Sequence, residues 1–145
     1  MGVDWDFPVP FAQTLVAGAD DIDALGHVNN GCYIRWCEAL AWQHSAVLGL
    51  DENDYVELRR AMAIHHAEYD YLKACFVGDQ IEAATWITHC DFKLTMERRF
   101  QLMVSGETVF RGSWQLICIN LDNNKPVRIP GRFIEVYQHA VLNSS

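Results

Sequence analysis

No stretch of this chain approaches ~18 uncharged apolar residues, so the sequence offers no membrane-spanning helix. The first residues, Met1-Gly-Val-Asp-Trp-Asp, carry acids where an export signal needs bases, and no export is expected. Basic residues are scarce: 11 Lys and Arg against 19 Asp and Glu, for a net charge of −8. That sign opposes the counterion release on which nucleic-acid binding depends, and it disfavours an anionic membrane surface. Neither is an expected partner. A small polyanion remains compatible, because a few local cations act within a Debye length of about 8 Å. No Cys-x-x-Cys occurs, and the five cysteines are odd in number and scattered, which argues against a disulfide framework and a thiolate metal site. They read as buried free thiols in a reducing cytoplasm. Internal repeats, low-complexity tracts and linker-like runs are missing, as is a Gly-rich phosphate loop. The prolines (Pro8, Pro10, Pro126, Pro130) stand near the ends and leave the middle free for regular structure.

The 145 residues are half hydrophobic, enough for a single domain over 1–145 that buries roughly 68–70% of its unfolded surface. Residues 13–19 read as a first strand. After the turn formers of 20–30, Tyr33, Cys37, Leu40, Ala41, His44, Val47 and Leu48 recur at helical spacing, with Asn29 and Asn30 as caps and Gly49 as the terminator. This is the one long helix, about 28 Å at 1.5 Å per residue. Then the period changes. Strands are expected at 61–72, 80–89, 94–104 and 107–120, with Leu94, Met96, Arg98, Phe100, Leu102 and Val104 sharing one face. Ser105-Gly106 signals a hairpin turn, and Pro130 opens a short terminal helix through Tyr137. Short turns between successive strands predict an antiparallel meander whose apolar face must be covered. The long helix is the cover, so the expected class is α+β: a sheet curled round a central helix.

Asp21-Ile-Asp23-Ala-Leu-Gly26-His27-Val-Asn29-Asn30-x-x-Tyr33 is the segment densest in chemistry. It resembles the D-x-D-x-x-G-H-V-N-N-x-x-Y signature of hotdog-fold acyl-CoA thioesterases, the 4-hydroxybenzoyl-CoA thioesterase family. Glu68-Tyr-Asp-Tyr-Leu72 followed by Gly78-Asp79 is similar to that family's E-x-D-Y-L…G-D, and Pro126-Val-Arg-Ile-Pro130 to its P-x-x-I-P. The resemblance runs from about residue 13 to 137. It implies the hotdog fold, an acyl-CoA substrate, hydrolysis without cofactor or metal, and a homodimer or homotetramer with sites between subunits. It places the catalytic carboxylate at Asp23 and the donor that polarises the thioester carbonyl at the backbone N–H near Asn30.

The physics suits those roles. A helix start offers unpaired N–H groups and a partial positive charge. One such donor lowers the barrier by about 2.7–4 kcal/mol in an acyl-transfer transition state. Gly26 makes the intervening turn cheap. Asp23 then acts as nucleophile, through a mixed anhydride, or as general base on water. His27 is a candidate for orienting substrate or assisting the carboxylate, against the plainer reading of a histidine that shapes the turn. Plant acyl-ACP thioesterases carry D-x-N-x-H-V-N-N here, and Leu25 departs from their Asn. Asp21 reads as a turn former, Glu38 as a helix charge that some members use as the carboxylate. Substrate contacts are expected from Tyr33, Glu68, Lys93, Arg98 and Arg99, the last three as phosphate ligands. The histidines lack metal-ligand spacing. Two rivals share the fold: an acyl-thioester hydratase or dehydratase using a His–carboxylate pair, and a non-catalytic acyl-CoA-binding protein.

Overall fold

The computed structural model describes residues 5–141, and the acidic start at residues 1–4 lies outside them. Chain order is β1 (Phe11–Val16), a 3-10 turn (Ala19–Asp21), α1 (Asn30–Leu48), α2 (Glu52–Leu58), β2 (Arg60–Tyr71), β3 (Gln80–Cys90), β4 (Lys93–Leu102), β5 (Thr108–Asn120), β6 (Lys125–Val127) and α3 (Gly131–Ala140). The sheet is antiparallel in the order β1-β3-β4-β5-β2, with β6 added on β5. Because β1 and β2 occupy opposite edges, the chain must cross the sheet between them. Helix α1 makes that crossing, which gives the hotdog layout.

The caps of α1 follow from residue chemistry. Asn29 is extended and its side chain accepts from Gly31 N–H at 2.8 Å. Gly49 ends the helix in the left-handed region at φ 106°. The face turned to the sheet buries Cys32, Tyr33, Cys37 and Leu40. Tyr33 stacks on Phe110 at 5.1 Å and on Phe100 at 6.4 Å. Burying each such side chain contributes about 1.5–3 kcal/mol. Val47, expected on this stripe, is instead 71% exposed, while Ser45 takes a buried place in the last turns.

Strand β4 keeps its predicted alternation as far as Leu102, with Leu94, Met96, Arg98, Phe100 and Leu102 all buried on the inner face, but Val104, expected on that face, lies in the turn beyond the strand end and is 93% exposed. The outer face is not bare: Trp86 Nε1–H donates to the Pro8 carbonyl at 2.9 Å, and Phe7 packs on its ring. Three features differ from expectation. The first strand ends at Val16, because Gly18 begins the 3-10 turn. Helix α2 was not anticipated; Asp51 and Asp54 cap it reciprocally. In β2, His65 is the extra residue of a bulge between Ile64 and His66, so simple alternation does not hold there. No helix among the described residues is long and apolar enough to cross a membrane.

Candidate active site

The loop before α1 is a small antiparallel hairpin. Asn29 N–H donates to the Asp21 carbonyl at 2.8 Å, Ile22 bridges Val28, and Asp23 N–H donates to the His27 carbonyl at 2.8 Å. Gly26, at φ 85°, turns the chain at its tip. Val28 N–H donates to the Cys75 carbonyl at 2.9 Å, tying the hairpin to the loop after β2. The hairpin thus sets Asp23 opposite His27, about 7 Å along the ladder from the Asp21–Asn29 rung that leads into α1.

Asp23 is half-buried. Its Oδ1 accepts from Leu25 N–H at 2.9 Å and, weakly, from His27 N–H at 3.4 Å. Its Oδ2 makes no hydrogen bond among the described residues. At the helix start, Asn29 Oδ1 takes Gly31 N–H and the Asn29 carbonyl takes Cys32 N–H. The Asn30 N–H has no hydrogen bond among the described residues, so a first-turn donor stands open. Tyr71 O–H donates to the Asn30 carbonyl at 3.3 Å and fixes the end of β2 against this turn. Asp21 is structural: its Oδ2 accepts Gly18 N–H at 2.8 Å.

The His27 ring packs edge-on against Phe76, centroids 5.2 Å apart, rather than against the Asp23 carboxylate. The His27 ring and the Asp23 carboxylate, the pair that the hydratase reading would use, make no hydrogen bond to each other among the described residues. Tyr33 is a core residue, 3% exposed, and burial pushes its phenol well above the usual range. Glu68 is exposed on β2 with His66 Nε2 3.2 Å away. Together with Arg99, Asp70, Glu97, Arg111 and Ser113 it lines a polar cleft of about 270 Å³. Arg99 is engaged there by Asp6 at 2.6 Å and Glu97 at 3.3 Å. Three acids against two arginines make that cleft no phosphate site.

Lys93 starts β4 at the far end of the sheet, beside Cys90, whereas the hairpin adjoins the end carrying Val16, Gln80 and Leu102. Arg98 corrects the phosphate reading outright. It is fully buried on the inner face, its guanidinium 4.3 Å from the Trp114 ring centroid, and it reaches no solvent. Asp23 and His27 thus face each other across one hairpin that leads into the helix start at Asn30, with no hydrogen bond between Asp23 and Asn30 among the described residues, and the other candidates lie elsewhere. No group of three His, Cys, Asp or Glu side chains that could hold a metal ion occurs among the described residues.

Sequence reasoning missed a cavity of about 510 Å³ between the second half of α1, α2, β2 and the inner face of β4 and β5. Its walls are mostly apolar (Ala41, Met62, Leu94, Met96, Trp114, Leu116), with Ser45, Tyr55 and Tyr137 also lining it. Asp23 and Asn30 do not line it. The capping pair Asp51-x-x-Asp54, which builds the α2 wall, was the signal available.

Comparison with known proteins follows the same outline. No curated protein sequence matches the chain. DHNA-CoA thioesterase from Staphylococcus aureus superposes with a TM-score of 0.82 at 22% identity, covering 90% of this chain and 89% of that one. A second S. aureus protein, solved in complex with CoA, gives 0.86 at 16% identity over 98% and 90%. A 1,4-dihydroxy-2-naphthoyl-CoA thioesterase from Synechocystis gives 0.80 at 17% identity over 94% and 98%. These likenesses establish the fold. Residues 17–140 match the thioesterase-like superfamily, and by that match over most of its length the chain belongs to it.

Proposed function

We propose that this thioester hydrolase acts on acyl-CoA, with Asp23 as the carboxylate and the Asn30 N–H as the oxyanion donor. The observation that carries the reading is the open N–H at the start of α1, reached by a hairpin that returns a half-buried carboxylate with one oxygen unbonded. The thioester carbonyl oxygen accepts from Asn30 N–H, where the helix dipole favours developing negative charge. Asp23 Oδ2 then attacks the carbonyl carbon, or takes a proton from the water that does. The C–S bond breaks and the thiolate leaves and picks up a proton; on the base route this releases the acid directly, and on the direct route water then cleaves the Asp23 mixed anhydride. His27 holds the turn through its backbone rather than acting on the carboxylate. That CoA is the thiol is supported by the similar S. aureus protein in complex with CoA and by the similar CoA thioesterases.

A second copy of the chain completes the site in this reading. Strand β2 is a 12-residue edge, hydrogen-bonded to β5 alone. Pairing two such edges antiparallel across a two-fold covers both. It also sets the Tyr71 end of one copy, which holds Asn30, beside the Arg60–Ile64 end of the other, which lines the large cavity. The acyl group of a thioester at one copy's helix start then enters the other copy's cavity.

The test is thiol release from a panel of acyl-CoAs, with Asp23→Asn beside the wild type. The variant is expected to lose kcat by at least about a hundredfold while CoA binding and fold are kept. Hydrolysis that survives the substitution removes Asp23 from the mechanism. A single turnover in isotopically labelled water reads the direct route: an unlabelled enzyme oxygen in the acid establishes attack by Asp23 with water adding at the Asp23 carboxyl carbon, and label from solvent alone is the outcome of base catalysis or of water adding at the acyl carbon.

A further inference from the structure

Three hydroxyl groups line the large cavity from three different helices: Ser45 of α1, Tyr55 of α2 and Tyr137 of α3. Their residues are 5%, 5% and 2% exposed. Their proton order follows from one fixed point. Ser45 Oγ lies 2.7 Å from the Leu50 carbonyl, and a carbonyl only accepts, so Ser45 donates there. Ser45 has a single proton, so in its 3.0 Å contact with Tyr137 the tyrosine donates. Tyr137 has then spent its own proton, and in the Tyr137–Tyr55 bond Tyr55 donates. Burial pushes both phenols above the usual range, which keeps both protons in place. The chain of bonds therefore runs Tyr55 to Tyr137 to Ser45 to the Leu50 carbonyl, in one direction.

Tyr55 closes this relay with no proton left to give. Its oxygen accepts nothing among the described residues, although the residue is nine-tenths enclosed and its surroundings in the cavity wall include Met62, Leu94 and Leu116. A buried oxygen that can only accept selects by hydrogen-bond polarity: it welcomes an O–H, leaves a methyl unrewarded, and opposes an ether or ketone oxygen lone pair to lone pair.

We propose that Tyr55 is a specificity residue, and that the cavity takes an acyl group bearing a hydroxyl at its far end. The proposal rests on the acyl-CoA reading above and names the acyl class within it.

Three thioesters of one length test it: nonanoyl-CoA, 8-hydroxyoctanoyl-CoA and 7-methoxyheptanoyl-CoA. Wild type is expected to favour the hydroxyl end over the methyl end by about tenfold in kcat/KM, with the methoxy end poorest. Tyr55→Phe should erase the preference of hydroxyl over methyl. Tyr137→Phe leaves the Tyr55 oxygen in place but frees its proton, so the hydroxyl-to-methoxy ratio should fall toward one. A wild type that ranks the three ends equally, or a ratio unchanged in Tyr137→Phe, overturns the proposal. A binding measurement keeps it separate from the hydrolase reading. Octanol and methyl heptyl ether are titrated against tryptophan fluorescence, to which Trp42 and Trp114 in the cavity wall contribute. Octanol should bind about tenfold tighter even if no thioester is cleaved, and equal affinities sink the relay argument whatever the enzyme hydrolyses.

Discussion

Arg98 stands where the inner face of the sheet calls for an apolar residue. Its Nη2 lies 3.2 Å from Met96 Sδ, and its Nε and Nη1 find no acceptor among the described residues. Burial lowers its pKa to about 10, so the charge persists at neutral pH without a carboxylate beside it. Cation–π attraction to Trp114 offsets about 2 kcal/mol at most, less than two unmet N–H donors cost. Arg98→Met keeps the length of the chain and discards those donors, so urea denaturation should show unchanged or greater stability, by about 1–3 kcal/mol. A loss of stability would mean that the Trp114 contact dominates. His44 gives a pH prediction. It stacks on Phe11 at 5.0 Å, and burial, aided by Arg98, lowers its pKa to about 4. The unfolded chain protonates this residue near its ordinary 6.5 and the folded chain resists, so below that pH the unfolded state binds more protons. Its contribution is complete above about 6.5 and drains away as pH falls toward 4. Asp54 and Asp91 are held below the usual carboxylate range and stay silent above pH ~5. The urea midpoint should therefore drop between pH 7 and 5 in the wild type and drop less in His44→Phe, which keeps the stack.

Among the elements, α1 depends on its two ends. Gly49 sits at φ 106°, and a Cβ placed there meets nothing within 4 Å, so Gly49→Ala should cost about 1 kcal/mol from backbone conformation alone, read as a lower denaturation midpoint at unchanged slope. These ends were legible in the sequence because a cap and a terminator are local signals. The same holds for the Asp23–Asn30 hairpin, whose members are contiguous. Strand alternation correctly turned Arg98 inward, but alternation says which face a residue shares and nothing about what covers that face, so a buried guanidinium read as a surface cation. Nor does it say which end of the sheet a residue occupies, and Lys93 was grouped with partners at the opposite end. Helix α2 escaped notice because its seven residues make barely two turns, too few for a period, and Tyr55 went with it. Ser45, Tyr55 and Tyr137 meet across as many as 92 positions, from three helices, and no local pattern encodes that meeting.

At the scale of the whole molecule, the two edges of the sheet are unequal. Strand β1 is six residues long and β2 twelve, and β2 leaves Ile64, His65, His66, Glu68 and Asp70 exposed along an unpaired ladder. An edge that long invites pairing unless something blunts it, and the bulge at His65 interrupts it only once. Two features of the candidate site bear on the same edge: the donor at Asn30 is pinned to Tyr71 at one end of β2, and the cavity opens at Arg60–Ile64 at the other. Within one chain these are separated along the strand by roughly 23–36 Å at 3.3 Å per residue. Antiparallel pairing removes that separation by exchanging ends, so assembly and catalysis become one equilibrium. Dilution then carries a definite signature. As sedimentation shows the dimer giving way to monomer, specific thioesterase activity should fall in step, and the alternate set of β2 amides that face away from β5 should lose protection from hydrogen exchange over the same concentrations. A monomer with full activity and unprotected β2 amides would show instead that one chain closes its own site, and that the acyl group never leaves the copy whose helix holds its carbonyl.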